Sequence, residues 1–476
     1  MDIRLCDKLD TSAPEIFLYG SEVHPKYLPV RGDERAYLLD RRAKKKDALV
    51  VFGHRLYVQN FDADQDADAS WEALRRAAAN IQQMLSEEQQ EIVYLTGIGT
   101  LTEEAMAFLE GLHMANYRFD KYKSKKDTTL KTVYVDASMM TAEALVENLN
   151  LWRSVDACRD WVNEPVMRLN APRFADLLAA RAKELGVQCT VLGQSQIETL
   201  KMGGLLAVNR GSEDEARFVT LEYKPKDRIN VRPVALVGKG IMYDTGGLNI
   251  KPGDYMCEMK SDMAGAATMA SALFAAAANH LPLHLMAFLP MTDNRPGKNA
   301  YAADDILTMH DGTTVEVVNT DAEGRLILAD AIAYSNQFNP ELILDMATLT
   351  GAAVRAIGTH GIAAMQQDAD NPMSLLKIVG NHVGERLAEF PFWKDYEEGL
   401  KSEVADLKNC GPAEAGCITA GKFVAHFAKH PFIHLDIAGV AYYAKRNTFY
   451  GVGASGFGVR LLYAFFQTYG ALRERQ

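Results

Sequence analysis

Short apolar runs alternate with segments of helical periodicity along the first third of the chain. The apolar runs are typical of β-strands, and the segments between them have the spacing of amphipathic helices. Strand-like runs lie at 15–20, 47–59 and 91–99, and helical patterns lie at 70–90 and 102–119. This alternation predicts a small N-terminal α/β domain, to which we assign residues 1–140.

A long helical pattern at 141–163 follows, and it ends in NEPVMRLNAP, where two prolines disfavour further helix. We interpret 141–163 as a helix that connects two domains. The remainder of the chain, 164–476, repeats the alternation with nearly continuous apolar runs at 231–238, 283–290, 341–351 and 432–439. Such runs are typical of strands buried on both faces. They predict a larger C-terminal α/β domain with a central, largely parallel or mixed sheet flanked by helices.

The composition is that of an ordinary folded protein and adds a few exclusions. Of the 476 residues 48% are hydrophobic, and 51 basic against 62 acidic residues give a net charge of -11. That balance disfavours general affinity for nucleic acid or an anionic membrane. The basic clusters at 41–46 and 121–126 fit solvated turns or subunit-interface patches, or contacts with phosphate groups.

Cysteine usage and the N-terminus bear on the cellular compartment. The six cysteines show no CxxC spacing, and the opening MDIRLCDKLD has acids where a secretion signal needs an apolar core. These features predict a cytoplasmic protein with free thiols. The longest apolar run, 263–278, is too short to span a bilayer, so it predicts a packed internal helix and no membrane partner.

The octet NTDAEGRL, at 319–326, carries the first candidate chemistry. Asp321, Glu323 and Arg325 stand at alternating positions, so in an extended segment their side chains leave the backbone on one face. Two interpretations remain open from the octet alone. It is either a surface ladder of ion pairs or one half of a metal site.

A second charged segment, at 237–267, follows one of the buried strands. It contains Lys239, Asp244, Lys251 after a Gly-Gly turn, and Asp262 at the start of an Ala-rich helix. Taken singly, Asp262 fits a helix N-cap and Lys239 fits a side chain that reaches solvent. Together with the octet they form a dense mixed-charge set, which is costly to bury without a metal.

Several segments resemble the leucyl aminopeptidase family, the hexameric dimetal cytosol aminopeptidases. The most specific are VGKGIMYDTGGLNIKP, MKSDMAGAAT and NTDAEGRLILADA, and the resemblance extends from about residue 100 to the end. It implies that five side chains bind two divalent ions: Lys239, Asp244, Asp262, Asp321 and Glu323. Asp244 and Glu323 would bridge both ions. Lys239 and Asp262 would complete the tighter site, and Asp321 the more exchangeable one.

The resemblance also implies a mechanism and a substrate. Lys251 would polarise the substrate carbonyl, and Arg325 would hold a bicarbonate ion that acts as general base. Carboxylate-rich sites suit Zn, Mn or Mg, and two such ions can share a bridging hydroxide. The reaction would be hydrolysis of the N-terminal bond of peptides with an apolar or broadly varied first residue. Met259, Thr348 and Ala454 match the side-chain pocket, and a homo-hexamer is the implied assembly.

Two other functions remain as alternatives. One is a DNA-binding architectural protein that retains the aminopeptidase fold, which the basic clusters would support and the acidic total opposes. The other is a narrower dipeptidase, for example a cysteinylglycine hydrolase. The chain lacks the HExxH zinc motif, and its GASGFG does not fit the GxSxG frame of a serine hydrolase.

Overall fold

The computed structural model describes residues 1–7, 13–20, 23–27, 30–43, 50–52, 55–59, 67–100 and 102–474. The chain divides into two compact units. One comprises Met1–Trp152 with Lys445–Val452, and the other comprises Arg153–Ala444 with Gly453–Gln476.

The first unit is built on one sheet whose strand order is β1-β6-β5-β2-β4-β3 in the described residues. Its strands are β1 (Asp2–Cys6), β2 (Glu15–Tyr19), β3 (Val50–Phe52), β4 (Arg55–Gln59), β5 (Ile92–Ile98) and β6 (Thr132–Asp136). Its helices are α1 (Gly32–Ala43), α2 (Ala67–Glu87) and α3 (Thr102–Asn116). The pairings are parallel except for the antiparallel pair β3–β4.

One strand prediction in this unit was wrong. The run at 47–59 was expected to form a single strand, but its described part forms the two antiparallel strands β3 and β4. Residues 47–49, 53 and 54 lie outside the described residues. The glycine at position 53 punctuates the apolar run, and a run of that length exceeds an ordinary strand.

Helix α4 (Ala142–Asn163) occupies the segment that was expected to connect the domains, and the boundary between the two units falls within it, after Trp152. The C-terminal strands β19 (Tyr442–Asn447) and β20 (Gly451–Ala454) pair with each other.

The second unit has a mixed sheet in the order β16-β15-β18-β14-β9-β11-β8-β7, with β10 paired to β11. Its strands are β7 (Gln188–Leu192), β8 (Arg217–Tyr223), β9 (Val234–Gly238), β10 (Gly240–Asp244), β11 (Leu285–Asn294), β14 (Leu342–Ala347), β15 (Ile362–Gln367), β16 (Leu387–Glu389) and β18 (Phe432–Asp436). Strands β12 (Ile306–Thr308), β13 (Thr314–Glu316) and β17 (Leu407–Lys408) form a small separate sheet.

Helices flank the larger sheet. They are α5 (Ala171–Glu184), α6 (Gln194–Thr199), α7 (Gly203–Asn209), α8 (Ala264–Ala278), α9 (Glu323–Ser335), α10 (Gly351–Ile357), α11 (Asp370–His382), α12 (Gly416–Ala425) and α13 (Val459–Glu474). Strands β9, β11, β14 and β18 are buried along their whole length, which confirms the predicted central strands of an α/β fold. Helix α8 is the packed internal helix predicted from its alanines, and none of the described helices has the length and apolar character of a membrane span.

The sheet brings several strand ends to one edge. Strands β11, β9, β14 and β18 are parallel neighbours, with Gly238 beside Met346 and Ala347 beside Asp436. Residues that follow these strands therefore share the carboxyl edge of the sheet, where α/β folds hold their ligands. Lys239 follows β9 and Thr348 follows β14, so both lie at this edge.

Candidate metal and active site

Lys239 stands at the centre of a buried polar cluster. Its Nζ lies 2.8 Å from Asp262 Oδ2 and 3.0 Å from Glu323 Oε1, and it donates to the carbonyl oxygen of Thr348 at 2.9 Å. The side chain can take this path because position 324 is glycine. A Cβ there would meet Lys239 Cε at 2.5 Å. The octet's glycine is therefore a packing requirement of the neighbouring lysine.

Lys251 joins the other two predicted carboxylates. Its Nζ lies 2.7 Å from Asp244 Oδ2 and 2.6 Å from Asp321 Oδ1, and its side chain is 15% exposed. The turn before it depends on Gly246, whose φ of +85° suits glycine. This loop is tied to the octet because the backbone N–H of Asn249 donates to Thr320 Oγ1 at 2.8 Å.

The octet is not extended as expected. Residues Thr320–Ala322 form a 3₁₀ turn, and α9 begins at Glu323. The side chain of Asn319 accepts a hydrogen bond from the Asp321 N–H at 2.8 Å, and such local side-chain bonds favour a turn over a strand. Asp321 and Glu323 nevertheless both face the lysines of the cluster.

Asp262 has a different role from the N-cap considered for it. The N-cap position of α8 is Met263, and Asp262 Oδ1 instead accepts a hydrogen bond from Thr348 Oγ1 at 2.7 Å. Asp262 is 5% exposed. The aspartate therefore links the start of α8 to the end of β14, within the cluster.

Burial and mutual repulsion shift the pKa values of the carboxylates. Burial and the neighbouring Glu323 raise the pKa of Asp244 to about 6. Burial raises the pKa of Asp262 well above its ordinary value, and it also raises that of Asp321. Burial opposes ionisation of Glu323 as well, but the two lysines outweigh it and the pKa is lowered. Four acidic groups are thus crowded into a site that favours added positive charge.

The pKa values of the two lysines are raised as well, which favours their charged form. Burial by itself lowers the pKa of Lys239, but the surrounding carboxylates outweigh burial and raise it. The pKa of Lys251 is raised by the same balance. To bind a cation through its nitrogen, Lys239 must therefore lose a proton, which a nearby dication favours.

Arg325 lies on the first turn of α9 and is 8% exposed. One of its terminal nitrogens donates to the carbonyl oxygen of Asn409 at 2.8 Å. Its Nε has no hydrogen-bond partner in the described part of the chain. A permanently charged guanidinium with a spare donor is suited to hold a small anion.

The donor set fits divalent cations. Asp244, Asp262 and Glu323 each offer an oxygen within 4.8 Å of the others. Among the described residues, Asp262 Oδ2 and Asp321 Oδ1 contact an ammonium group but receive no bond of hydrogen-bonding geometry. Carboxylates are typical ligands of Mn and Mg, and Zn also binds them. The site is therefore a carboxylate-rich cluster whose donor groups suit divalent metal ions.

Of the predicted pocket residues, Thr348 contacts this cluster and Met259 lies close to it in sequence. Met259 lies in the 3₁₀ turn Met259–Ser261 just before Asp262, and its side chain is half-buried. Thr348 bonds to the cluster through both its hydroxyl and its carbonyl group. Ala454 is buried, and its carbonyl oxygen accepts a hydrogen bond from Arg159 at 2.9 Å. The pocket role of all three residues stays a prediction.

Two sequence features outside the site have structural partners. His434, in the buried strand β18, has its Nδ1 2.6 Å from Asp345 Oδ1. In the basic cluster at 121–126, Lys123 and Lys126 lie 3.6 and 3.7 Å from Asp127 and Asp120. These ion pairs partly neutralise the positive charge with which that cluster could bind phosphate groups. The side chains of 41–46 lie outside the described residues.

Sequence reasoning missed Asn294 and Asn409. Asn409 is fully buried, and its carbonyl group holds Arg325. Asn294 ends β11 and donates to Asp244 Oδ1 at 2.8 Å. The signal for Asn294 was present, because only Met291 separates the polar triplet at 292–294 from the apolar run at 283–290.

Comparison with known proteins identifies the family. Residues 156–463 match the catalytic domain of the cytosol aminopeptidase family, and residues 64–126 match its N-terminal domain. The chain is 41% identical over 418 residues to a probable cytosol aminopeptidase of Syntrophotalea carbinolica, covering 83% of this chain and 82% of that protein. It is 42% identical over 373 residues to one of Chlorobium limicola, covering 75% and 73%.

A solved structure agrees with these relatives. The bottromycin maturation enzyme BotP in complex with Mn superposes with a TM-score of 0.84 at 30% identity, covering 96% of this chain and 100% of that one. The chain therefore belongs to the cytosol aminopeptidase family, which confirms the resemblance seen in the sequence. It is a metal-dependent aminopeptidase, a hydrolase of the metallo-exopeptidase class.

Proposed function

We propose that this enzyme removes the first residue from peptides with the help of two divalent cations, Mn, Zn or Mg. The cations would be bound by five side chains: Lys239, Asp244, Asp262, Asp321 and Glu323. The observation that carries the proposal is the convergence of these groups, from three separate segments, through contacts of 2.6 to 3.0 Å with the two lysines. We infer that Asp244 and Glu323 would be shared between the two ions. Lys239 and Asp262 would complete the tighter site, and Asp321 would complete the more exchangeable one.

The bound ions would supply Lewis acidity, which polarises the scissile carbonyl and lowers the pKa of water. Lys251 remains charged beside Asp244 and is the side chain suited to donate to the oxyanion that develops on the substrate. Arg325 stays protonated and cannot itself accept a proton. We infer that it holds a bicarbonate ion as general base. The Arg325 Nε, which has no hydrogen-bond partner among the described residues, supports this role.

We further propose that Met259, Thr348 and Ala454 line the pocket for the first side chain. A methionine wall adapts to apolar side chains of different shape, which favours an apolar or broad preference. Thr348 would fix this pocket relative to the ions, because its hydroxyl bonds Asp262. We propose a cytoplasmic homo-hexamer as the working form, and light scattering would measure its mass.

A panel of aminoacyl substrates tests the reaction. Free and N-acetylated versions are assayed after chelation and again after Mn or Zn is restored. We expect cleavage of the free substrates only, with activity lost on chelation and recovered with metal. Equal cleavage of the acetylated substrates, or activity that survives chelation, would contradict the proposal.

A further inference from the structure

Asn294 connects two of the proposed ligands to each other. It is the last residue of β11, and it is 0% exposed. Its Nδ2 lies 2.8 Å from Asp244 Oδ1, 3.3 Å from Glu323 Oε2 and 3.0 Å from the carbonyl oxygen of Thr320. One amide nitrogen therefore faces three acceptors, two of which belong to carboxylates that we assign to both ions.

The orientation of this amide follows from its surroundings. Three acceptors surround one end of the side chain, so that end must be the NH₂ group, since an oxygen there would meet only other oxygens. The opposite end, Oδ1, has no hydrogen-bond partner within the described ranges. A Cβ at position 247 would meet this Oδ1 at 2.8 Å, and the residue there is glycine.

The backbone of Asn294 is also held in place. Its carbonyl oxygen accepts the N–H of Thr245 at 3.0 Å and the hydroxyl of Thr245 at 2.8 Å. In the strand register Asn294 lies opposite Asp244. The sheet thus fixes the position of the amide, and the amide holds Asp244 and Glu323 through hydrogen bonds.

Asn294 and the lysines contact different oxygens. Lys251 contacts Asp244 Oδ2 and Lys239 contacts Glu323 Oε1, whereas Asn294 donates to the other oxygen of each carboxylate. A neutral donor can hold these oxygens without adding a charge that would repel a cation. Outer-shell donors of this kind orient metal ligands and raise metal affinity.

We propose that Asn294 is a positioning residue that aligns Asp244 and Glu323 for shared binding of the two divalent ions. The inference rests on the proposed function, since it assumes those carboxylates are ligands. It predicts that loss of the amide donor weakens metal binding by about 10- to 100-fold while the chain remains folded.

The test uses Asn294→Leu, which keeps approximate size but removes the donor, and Asn294→Asp, which keeps shape but adds a negative charge. Mn²⁺ is titrated calorimetrically into chelator-stripped protein, and thermal unfolding is measured without metal. Asn209→Leu is the matched control. Asn209 is another buried asparagine that touches β11, but among the described residues its amide nitrogen donates to Thr292 Oγ1 and the carbonyl oxygen of Asp214 and to no carboxylate.

Both Asn294 variants should bind Mn²⁺ about 10- to 100-fold more weakly, and Asn209→Leu should bind it as the wild type does. The direction in which Mn²⁺ affinity changes in Asn294→Asp separates a positioning role from simple space filling. If Asn294 only fills space, the extra negative charge leaves Mn²⁺ affinity unchanged or increases it, and the proposal is wrong. Wild-type affinity in Asn294→Leu, an equal loss in Asn209→Leu, or failure of both Asn294 variants to fold would also overturn it. If the wild type itself binds no Mn²⁺, the proposed dimetal function fails instead.

Discussion

Glu323→Gln is the substitution that most directly separates metal binding from folding. Glu323 is 1% exposed, its Oε1 lies 3.0 Å from the Lys239 ammonium, and its pKa is lowered by the two lysines despite burial. Glutamine keeps the size and one carbonyl oxygen but removes the charge. We expect the folded chain to tolerate this change and Mn²⁺ binding to be lost.

The opposing energies are similar in size. At an effective dielectric constant of about 20, the lost attraction to Lys239 at 3.0 Å is about 5 kcal/mol. Asp244 and Asp262 each have an oxygen within 4.8 Å of Glu323, so each repels it by about 3 kcal/mol or more on the same scale when ionised. The substitution also removes the weaker attraction to Lys251 and the desolvation cost of the buried charge, which oppose each other. The free energy of unfolding without metal should therefore change by no more than about 2 kcal/mol, given these cancelling terms.

The metal-bound protein should behave differently. Replacing an outer-shell partner costs about 10- to 100-fold in metal affinity, so loss of a bridging carboxylate should cost more than about 100-fold. Thermal unfolding is followed in chelator and at increasing Mn²⁺, where the wild type gains stability with concentration and Glu323→Gln does not. Peptidase activity should be abolished as well.

Glu385→Gln is the control for loss of a buried glutamate. Glu385 is fully buried and pairs with Arg460 at 3.1 Å, and the acidic partners of Lys239 and Lys251 are other residues. Its substitution should therefore cost about 3 to 5 kcal/mol of stability and leave Mn²⁺ binding intact. Two results would refute the reasoning about Glu323. One is a metal-free variant as unstable as Glu385→Gln, and the other is wild-type stabilisation by Mn²⁺.

Three further predictions follow. Lys251→Met should lower kcat by about 100- to 1,000-fold with little change in KM, because it removes an oxyanion donor; a rise confined to KM in steady-state assays would contradict this. In carbonate-depleted assays, added bicarbonate should stimulate the wild type but not Arg325→Met. Stimulation of the variant would exclude the proposed anion site at Arg325. Asp330 accepts hydrogen bonds from the backbone N–H groups of Leu205 and His310, which lower its pKa. Burial outweighs them and raises the pKa to about 7. The folded chain therefore binds the Asp330 proton more tightly than the unfolded chain does. The stability that this proton contributes is fully present below the unfolded pKa of about 4 and is lost as pH rises through the folded pKa of about 7. In denaturant unfolding between pH 4 and 8, the free energy of unfolding of the wild type should fall by roughly 4 kcal/mol relative to that of Asp330→Asn.

The hydrophobic pattern was sufficient for the core of the second unit. The runs at 283–290 and 341–351 became β11 and β14 because a run buried on both faces of a sheet has few alternatives. The octet shows the limit of the same method. Over eight residues a period of two and the first turn of a helix are hard to distinguish, and the apolar spacing of α9 becomes clear only beyond position 326.

The site residues were recognisable for a different reason. Lys239, Asp244 and Asp262 carry charges in an otherwise apolar stretch, which is costly unless they meet partners. Asn294 carries no charge, and its contacts come from segments 26 to 50 positions away in sequence. Such long-range hydrogen bonds leave no periodic signal, so neutral residues that position the ligands are visible only in the fold.

A backbone irregularity determines which residue of β10 faces Asn294. Ile241 lies opposite Thr292, but Asp244 rather than Tyr243 lies opposite Asn294, so β10 contains one extra residue at this point. A regular parallel register would place Tyr243 beside Asn294 instead. With the extra residue Tyr243 lies under the guanidinium of Arg295, 4.7 Å from its ring centre, and Asp244 is directed towards Lys251. Bulges near functional sites commonly redirect a side chain in this way, and here the bulge brings a carboxylate to the edge of the sheet where the other charged groups converge.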